Sequence, residues 1–137
     1  MDTERDLSKY RIRQAEQCLK EAKLLFDNGA YKGAANRAYY GAFHSIRSLL
    51  ALRKVDFKSH KGVISYFREN YIKTNIFDTQ LSKILTDLFQ IRTGSDYDDY
   101  FGIEKDEISQ HIMDAEVFFE QIKAHLEKTF GDSENHY

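Results

Sequence analysis

No proline occurs anywhere in the 137 residues of this chain. Proline lacks a backbone N–H and clashes with the preceding helical turn, so it kinks or ends helices, while sheet proteins use it at turns and edges. A chain of this length without it is expected to fold into long uninterrupted helices. The apolar periodicity points the same way. Leu7, Tyr10, Ala15, Cys18, Ala22, Leu25 and Phe26 recur along one side of a 3.6-residue helix from about Asp6 to Asn28. Asn28-Gly29 closes it, because glycine readily takes the left-handed position past a helix end. A second helix runs from Tyr31 to about Lys54, with Tyr31, Ala35, Ala38, Tyr39, Ala42, Phe43, Ile46, Leu49 and Leu50 inward. Ala34, Ala35, Ala38, Gly41 and Ala42 are small enough to admit another helix closely, and the short link makes the pair an antiparallel hairpin.

Ser59 is placed to cap a shorter third helix through about Tyr71, with Val63, Ile64 and Phe67 inward. After a loop over residues 72–78, Asp78 or Thr79 caps a fourth helix. Its inward side is Leu81, Ile84, Leu85, Leu88 and Phe89, and it is expected to end near Arg92 to Gly94. Ser95 to Gly102, acidic and aromatic, reads as a turn-like segment. The last helix starts near Glu104, carries the stripe Ile108, Ile112, Ala115, Phe118, Phe119, Ile122 and Leu126, and leaves residues 131–137 as a frayed tail. The expected fold is all-α: an antiparallel bundle of four long helices plus one short helix. It forms one domain over residues 1–137, with its core at about 6–128.

Composition narrows the function classes. Apolar residues make up 42% and charged residues 31%, a balance outside the disordered class, and no apolar run approaches the ~20 residues of a membrane span. The charged N-terminus has no signal-peptide core. The single Cys18 excludes a disulfide framework or a cysteine-based zinc site, and the reducing cytoplasm is the expected compartment. Charge is split along the chain: residues 1–75 carry 15 basic against 8 acidic side chains, and residues 76–137 carry 5 against 14. That asymmetry suits one basic face that meets an anion, although packing the two halves together would cancel part of the field.

Three constellations carry chemistry. On the second helix, Arg37, Tyr40 and His44 follow at spacings of three and four and share a face, with Asn36 at its edge. A guanidinium, a phenol and an imidazole in a row suit a phosphate or a stacked base; the plainer alternative is a polar stripe satisfied by neighbouring helices. Lys58, Ser59, His60 and Lys61 cluster at the start of the third helix, which is either an anion site or an ordinary exposed helix start. In the third, Arg92 is followed by Asp96, Tyr97, Asp98, Asp99 and Tyr100. Asp96, Asp98 and Glu107 fall on calcium-loop positions, but Phe101 stands where that loop needs glycine, so no metal is assigned. No phosphate-binding glycine loop, nucleophile elbow or zinc-protease motif is present.

In order and spacing, Asn36-Arg37-x-Tyr39-Tyr40-x-x-Phe43-His44, Lys58-Ser59-His60 and Arg92-x-x-Ser95-Asp96-Tyr97 resemble the HEPN family, over roughly Leu7 to Leu126. More narrowly, the chain is similar to the small prokaryotic stand-alone members encoded beside a minimal nucleotidyltransferase. The resemblance implies a homodimer, no cofactor, and a toxin that cleaves RNA without metal and is paired with a nucleotidyltransferase antitoxin. The family's active motif is an arginine followed, after four to six residues, by a histidine. Arg92 takes the arginine position, but Tyr97 stands where the histidine is expected. Arg37 and His44 offer a second arginine–histidine spacing, in mid-helix.

The chemistry defines what that departure removes. Attack by a 2′-hydroxyl needs a base, an acid and a cation for the charge developing on phosphorus. Arg92 supplies the cation, but a phenol with an ordinary pKa near ~10 is a poor base at neutral pH, and losing a general acid or base costs ~10²–10⁴ in rate. Two readings follow. In one, Arg92 and Tyr97 are catalytic and Asn36, Arg37, Tyr40, His44, Lys58, His60 and Asp96 help bind RNA or a nucleotide. In the other, the protein is a non-catalytic dimeric module whose Tyr97 or Tyr100 accepts AMP from a partner nucleotidyltransferase.

Overall fold

The computed structural model describes the backbone of residues 3–97 and 105–134 and the side chains of residues 3–93 and 105–131. Five helices follow in order: α1 (Thr3–Asp27), α2 (Tyr31–Leu52), α3 (His60–Phe67), α4 (Thr79–Tyr97) and α5 (Lys105–Glu134). They form an all-α bundle with no strand among the described residues.

The α1–α2 hairpin turns as the sequence requires. Gly29 sits at φ 77°, while the Ala30 N–H donates to Leu25 O at 2.8 Å and the Gly29 N–H to Phe26 O at 3.0 Å. Those two bonds satisfy carbonyls that the helix end would otherwise orphan. Beyond the turn the helices lie close. A Cβ on Gly41 would stand 2.7 Å from Leu19 Cδ2, and Ala15, Ala22, Ala34, Ala38 and Ala42 are completely buried. α2 packs against each of the other four helices, so both of its long sides are interior. Tyr39, Ile46, Leu49, Leu81, Leu85, Ile108, Phe118, Ile122 and Leu126 complete the core.

The ends of the elements differ in places from the periodicity. α1 presents Ser8, Ala15, Leu19 and Ala22 inward, while Leu7 and Tyr10 are 41% and 53% exposed. Leu7 instead lines a hollow of 390 Å³ with Arg11, Ala51 and Val55, where the start of α1 lies beside the end of α2. Ser59 caps α3 by accepting from the Gly62 N–H at 3.0 Å, and Asp78 caps α4 by accepting from the Gln80 N–H at 2.8 Å. After α3 the chain widens into a π-turn over Arg68–Ile72, which brings both Tyr71 and Ile72 inward.

α4 is longer than expected. It passes through Gly94 and continues to Tyr97, so Ser95, Asp96 and Tyr97 are helical rather than turn. Glycine inside a helix costs only about 1 kcal/mol relative to alanine, and no proline stops the chain there. α5 likewise runs on through residues 131–134, which were expected to fray.

α2 stops at Leu52, two residues short of the expected end, because Lys54 takes the left-handed position at φ 57°. The Val55 N–H then closes onto Leu50 O at 3.1 Å. A lysine in that conformation is strained by about 1 kcal/mol, whereas glycine is not. Among the described residues its offset is an exposed ion pair with Glu4 at 3.6 Å, worth little in water. Lys54→Gly should therefore stabilise the fold by about 0.5–1 kcal/mol in urea unfolding. An unchanged or lower midpoint would contradict this account of the turn.

Candidate functional site

The central face of α2, the first turn of α3 and the last described turn of α4 side chains meet in one polar–aromatic cluster. Tyr39 and Tyr40 are adjacent on α2 and diverge by about 100° around the helix axis. Tyr39 is fully buried, and its phenol oxygen lies 2.8 Å from His60 Nδ1. Tyr40 is partly exposed, and its hydroxyl accepts from Arg92 Nη2 at 3.2 Å. The Arg92 guanidinium carbon is 5.2 Å from the Tyr39 ring centre and 5.5 Å from that of Tyr40, so two aromatic rings hold one cation. His60 stacks on Phe43 at 4.2 Å, and the His44 ring lies 5.9 Å from Tyr40.

Arg37 stands at the edge. Its guanidinium carbon is 5.2 Å from the Tyr40 ring, but its nitrogens face α1. They pair with Glu21 at 3.5 Å, donate to Asn36 Oδ1 at 3.1 Å and approach the Cys18 sulfur at 3.9 Å. Asn36 is thereby turned toward Arg37. Of the residues singled out from the sequence, Asn36, Arg37, Tyr40, His44, His60 and Arg92 therefore converge. Lys58 is exposed and makes no hydrogen bond or ion pair with the cluster among the described residues. Asp96 and Tyr97 lie on the helical backbone of α4, but their side chains, and Tyr100 entirely, fall outside the described residues.

Both imidazoles are kept neutral. The His44 pKa is pushed down to about 4, first by burial and then by Arg47, Arg11, Arg37 and His60, and its Nδ1 is enclosed without a hydrogen-bond partner among the described residues. The His60 pKa is lowered by burial, with Arg92 and Arg47 adding to the effect. Burial pushes the Tyr39 phenol up, against a smaller opposing pull from Arg92, so the phenol keeps its proton. We assign Tyr39 as the donor to His60 Nδ1, which places the imidazole proton on Nε2. The arrangement presents a fixed guanidinium, a phenol and two neutral imidazoles, all partly exposed, to whatever enters.

Periodicity placed Tyr39 on the apolar stripe as a core residue, and the resemblance quoted it without giving it a role. The signal for its second role was the Tyr39-Tyr40 pair itself, which puts one phenol inside and the next at the surface.

Sequence comparison matches residues 8–126 to the HEPN domain. A UPF0332 protein of Thermotoga maritima is 31% identical, with 93% of this chain and 96% of the relative covered. Two proteins of Methanocaldococcus jannaschii, each described as a "putative toxin", are also similar. One is 30% identical over 89% of this chain and 82% of its own length, and the other 34% over 85% and 87%.

A histidine whose folded pKa lies below its unfolded value binds fewer protons folded than unfolded. His44 thus contributes stability that is full above pH 6.5 and is lost as the pH falls toward 4. Because the ring is only partly buried, the loss is discounted to about 1–2 kcal/mol. Thermal melts of wild type and His44→Asn from pH 7 to 4 should show the wild type losing the larger share. Parallel curves would refute the assignment.

Proposed function

This chain belongs to the HEPN domain family, and from that premise we propose that it is the toxin-type component of a toxin–antitoxin pair and acts on RNA as a homodimer. The toxin descriptions of two relatives support the first part. The observation that carries the second is the Arg92 guanidinium, held by the Tyr39 and Tyr40 rings and the Tyr40 hydroxyl beside His60. In this reading Arg92 binds the scissile phosphate and stabilises the charge that develops on it. Tyr97, one and a half turns further along α4, assists by donating a proton or positioning the phosphate. Arg37, Tyr40, His44 and His60 shape the surrounding groove, with Asn36 holding Arg37. Lys58 and Asp96 contribute at its margins. The antitoxin is a minimal nucleotidyltransferase.

With Tyr97 in place of a histidine, cleavage should be slow, by about 10²–10⁴ relative to a complete acid–base pair. Purified protein should cut single-stranded RNA in the presence of EDTA, and induced expression should arrest growth. Arg92→Ala should remove both effects, while Tyr97→His should raise the cleavage rate. Intact RNA at high protein concentration together with normal growth would overturn the reading. Adenylyl increments on Tyr97 or Tyr100 after incubation with the partner and ATP, with RNA left whole, would favour the non-catalytic module instead.

A further inference from the structure

Beside the Arg92 cluster, α3 and α4 enclose a groove of 360 Å³ that the proposed chemistry does not use. That volume lies in the range of small-ligand sites. Ile64, Leu85 and Phe89 contribute its apolar lining, and Lys61, Ser65, Arg68, Thr86, Gln90 and Thr93 its polar lining. Two cations face it and no carboxylate lines it among the described residues.

Arg68 is set in place by the protein. Its Nε donates to Ser82 Oγ at 3.0 Å, and its Nη2 to Ser82 O at 3.2 Å and Thr86 Oγ1 at 2.6 Å. Those bonds engage two of its three nitrogens and leave the Nη1 donors for another acceptor. Lys61 is exposed and makes no ion pair among the described residues. The groove also borders the cluster along both helices. Lys61 follows His60, Thr93 follows Arg92, and the Phe89 ring is 5.9 Å from the ring of Tyr39.

We propose that the α3–α4 groove holds the nucleotide next to the one gripped by Arg92, with Lys61 and Arg68 on its phosphate and its base against the Phe89 side. The proposal rests on the RNA reading above and gives the strand a direction across the surface, from Arg92 over Phe89 toward Arg68. The amide of Gln90 supplies both a donor and an acceptor for a base edge. Thr93 Oγ1 donates to Phe89 O at 3.0 Å, which leaves it to accept from the ligand.

The test uses a 5′-fluorescein 2′-O-methyl oligouridylate about ten nucleotides long, a length within the usual single-strand footprint. The methyl group blocks attack by the 2′-oxygen, so binding is read without cleavage. Lys61→Glu and Ser65→Glu change exposed side chains outside the core, and glutamate at 61 stands in the first turn of α3, where it is well tolerated. Each should weaken anisotropy-detected binding about tenfold, and Lys61→Ala should reduce the slope of log affinity against log salt by about 0.7, the loss of one single-strand phosphate contact. Lys83→Glu, on an exposed position of α4 outside the groove, should bind like wild type. Wild-type affinity in both groove variants, with Arg92→Ala still impaired, would overturn the groove and leave the RNA reading standing. Absence of binding by the wild type would overturn both. A change in sedimenting mass for Lys61→Glu would mark the groove as a contact between copies of the chain and also overturn the proposal.

Discussion

A helix that touches every other helix in a bundle must be narrow on at least one side. α2 meets this requirement through Gly41 and the alanines at 34, 38 and 42, which leave no room for so much as a Cβ at position 41 before Leu19 is struck. The close approach of α1 frees the remaining faces of α2 for large aromatics. Tyr39 and Phe43 can therefore be buried against α3 and α4 at the level where Tyr40 and His44 reach the surface. The cluster thus depends on a packing constraint that lies on the opposite side of the same helix.

The electrostatics follow from that placement. Arg92 is the cation at the centre, and around it among the described residues stand the Tyr39 phenol, kept protonated by burial, the Tyr40 ring and two imidazoles with lowered pKa values. Burial does most of this, and the surrounding arginines at 11, 37 and 47 do the rest. A site of this kind favours an anion, because bringing in a phosphate relieves repulsion among the cations at 11, 37, 47 and 92. The Glu21 contact holds Arg37 toward α1, at the edge of the cluster.

Much of this was legible from residue order. Five helices, the glycine turn at 29, the Ser59 and Asp78 caps and the small face of α2 all follow from local chemistry, and local chemistry decided them. What escaped was set by tertiary contacts. Leu7 and Tyr10 fit the apolar stripe of α1, but the stripe that packs runs through Ser8 and Leu19, because the start of α1 overhangs the end of α2. The extension of α4 through Gly94 contradicts a turn signal that composition alone suggested. Within the site, the helical spacing of Arg37, Tyr40 and His44 placed them on one face, and the convergence of Arg92 and His60 upon that face was set by the packing of α3 and α4 on α2. The Tyr39–His60 bond and the Arg68 clamp join residues distant in sequence and had no local signature.

The central claim is that Arg92 and a neutral His60 share one electrostatic neighbourhood on the faces of Tyr39 and Tyr40. An NMR titration of the His60 ring in wild type and in Arg92→Gln tests it most directly. The account predicts that His60 titrates below the ordinary histidine value with its proton on Nε2, and that removing the guanidinium moves the titration upward. An ordinary His60 titration, indifferent to the loss of Arg92, would contradict it.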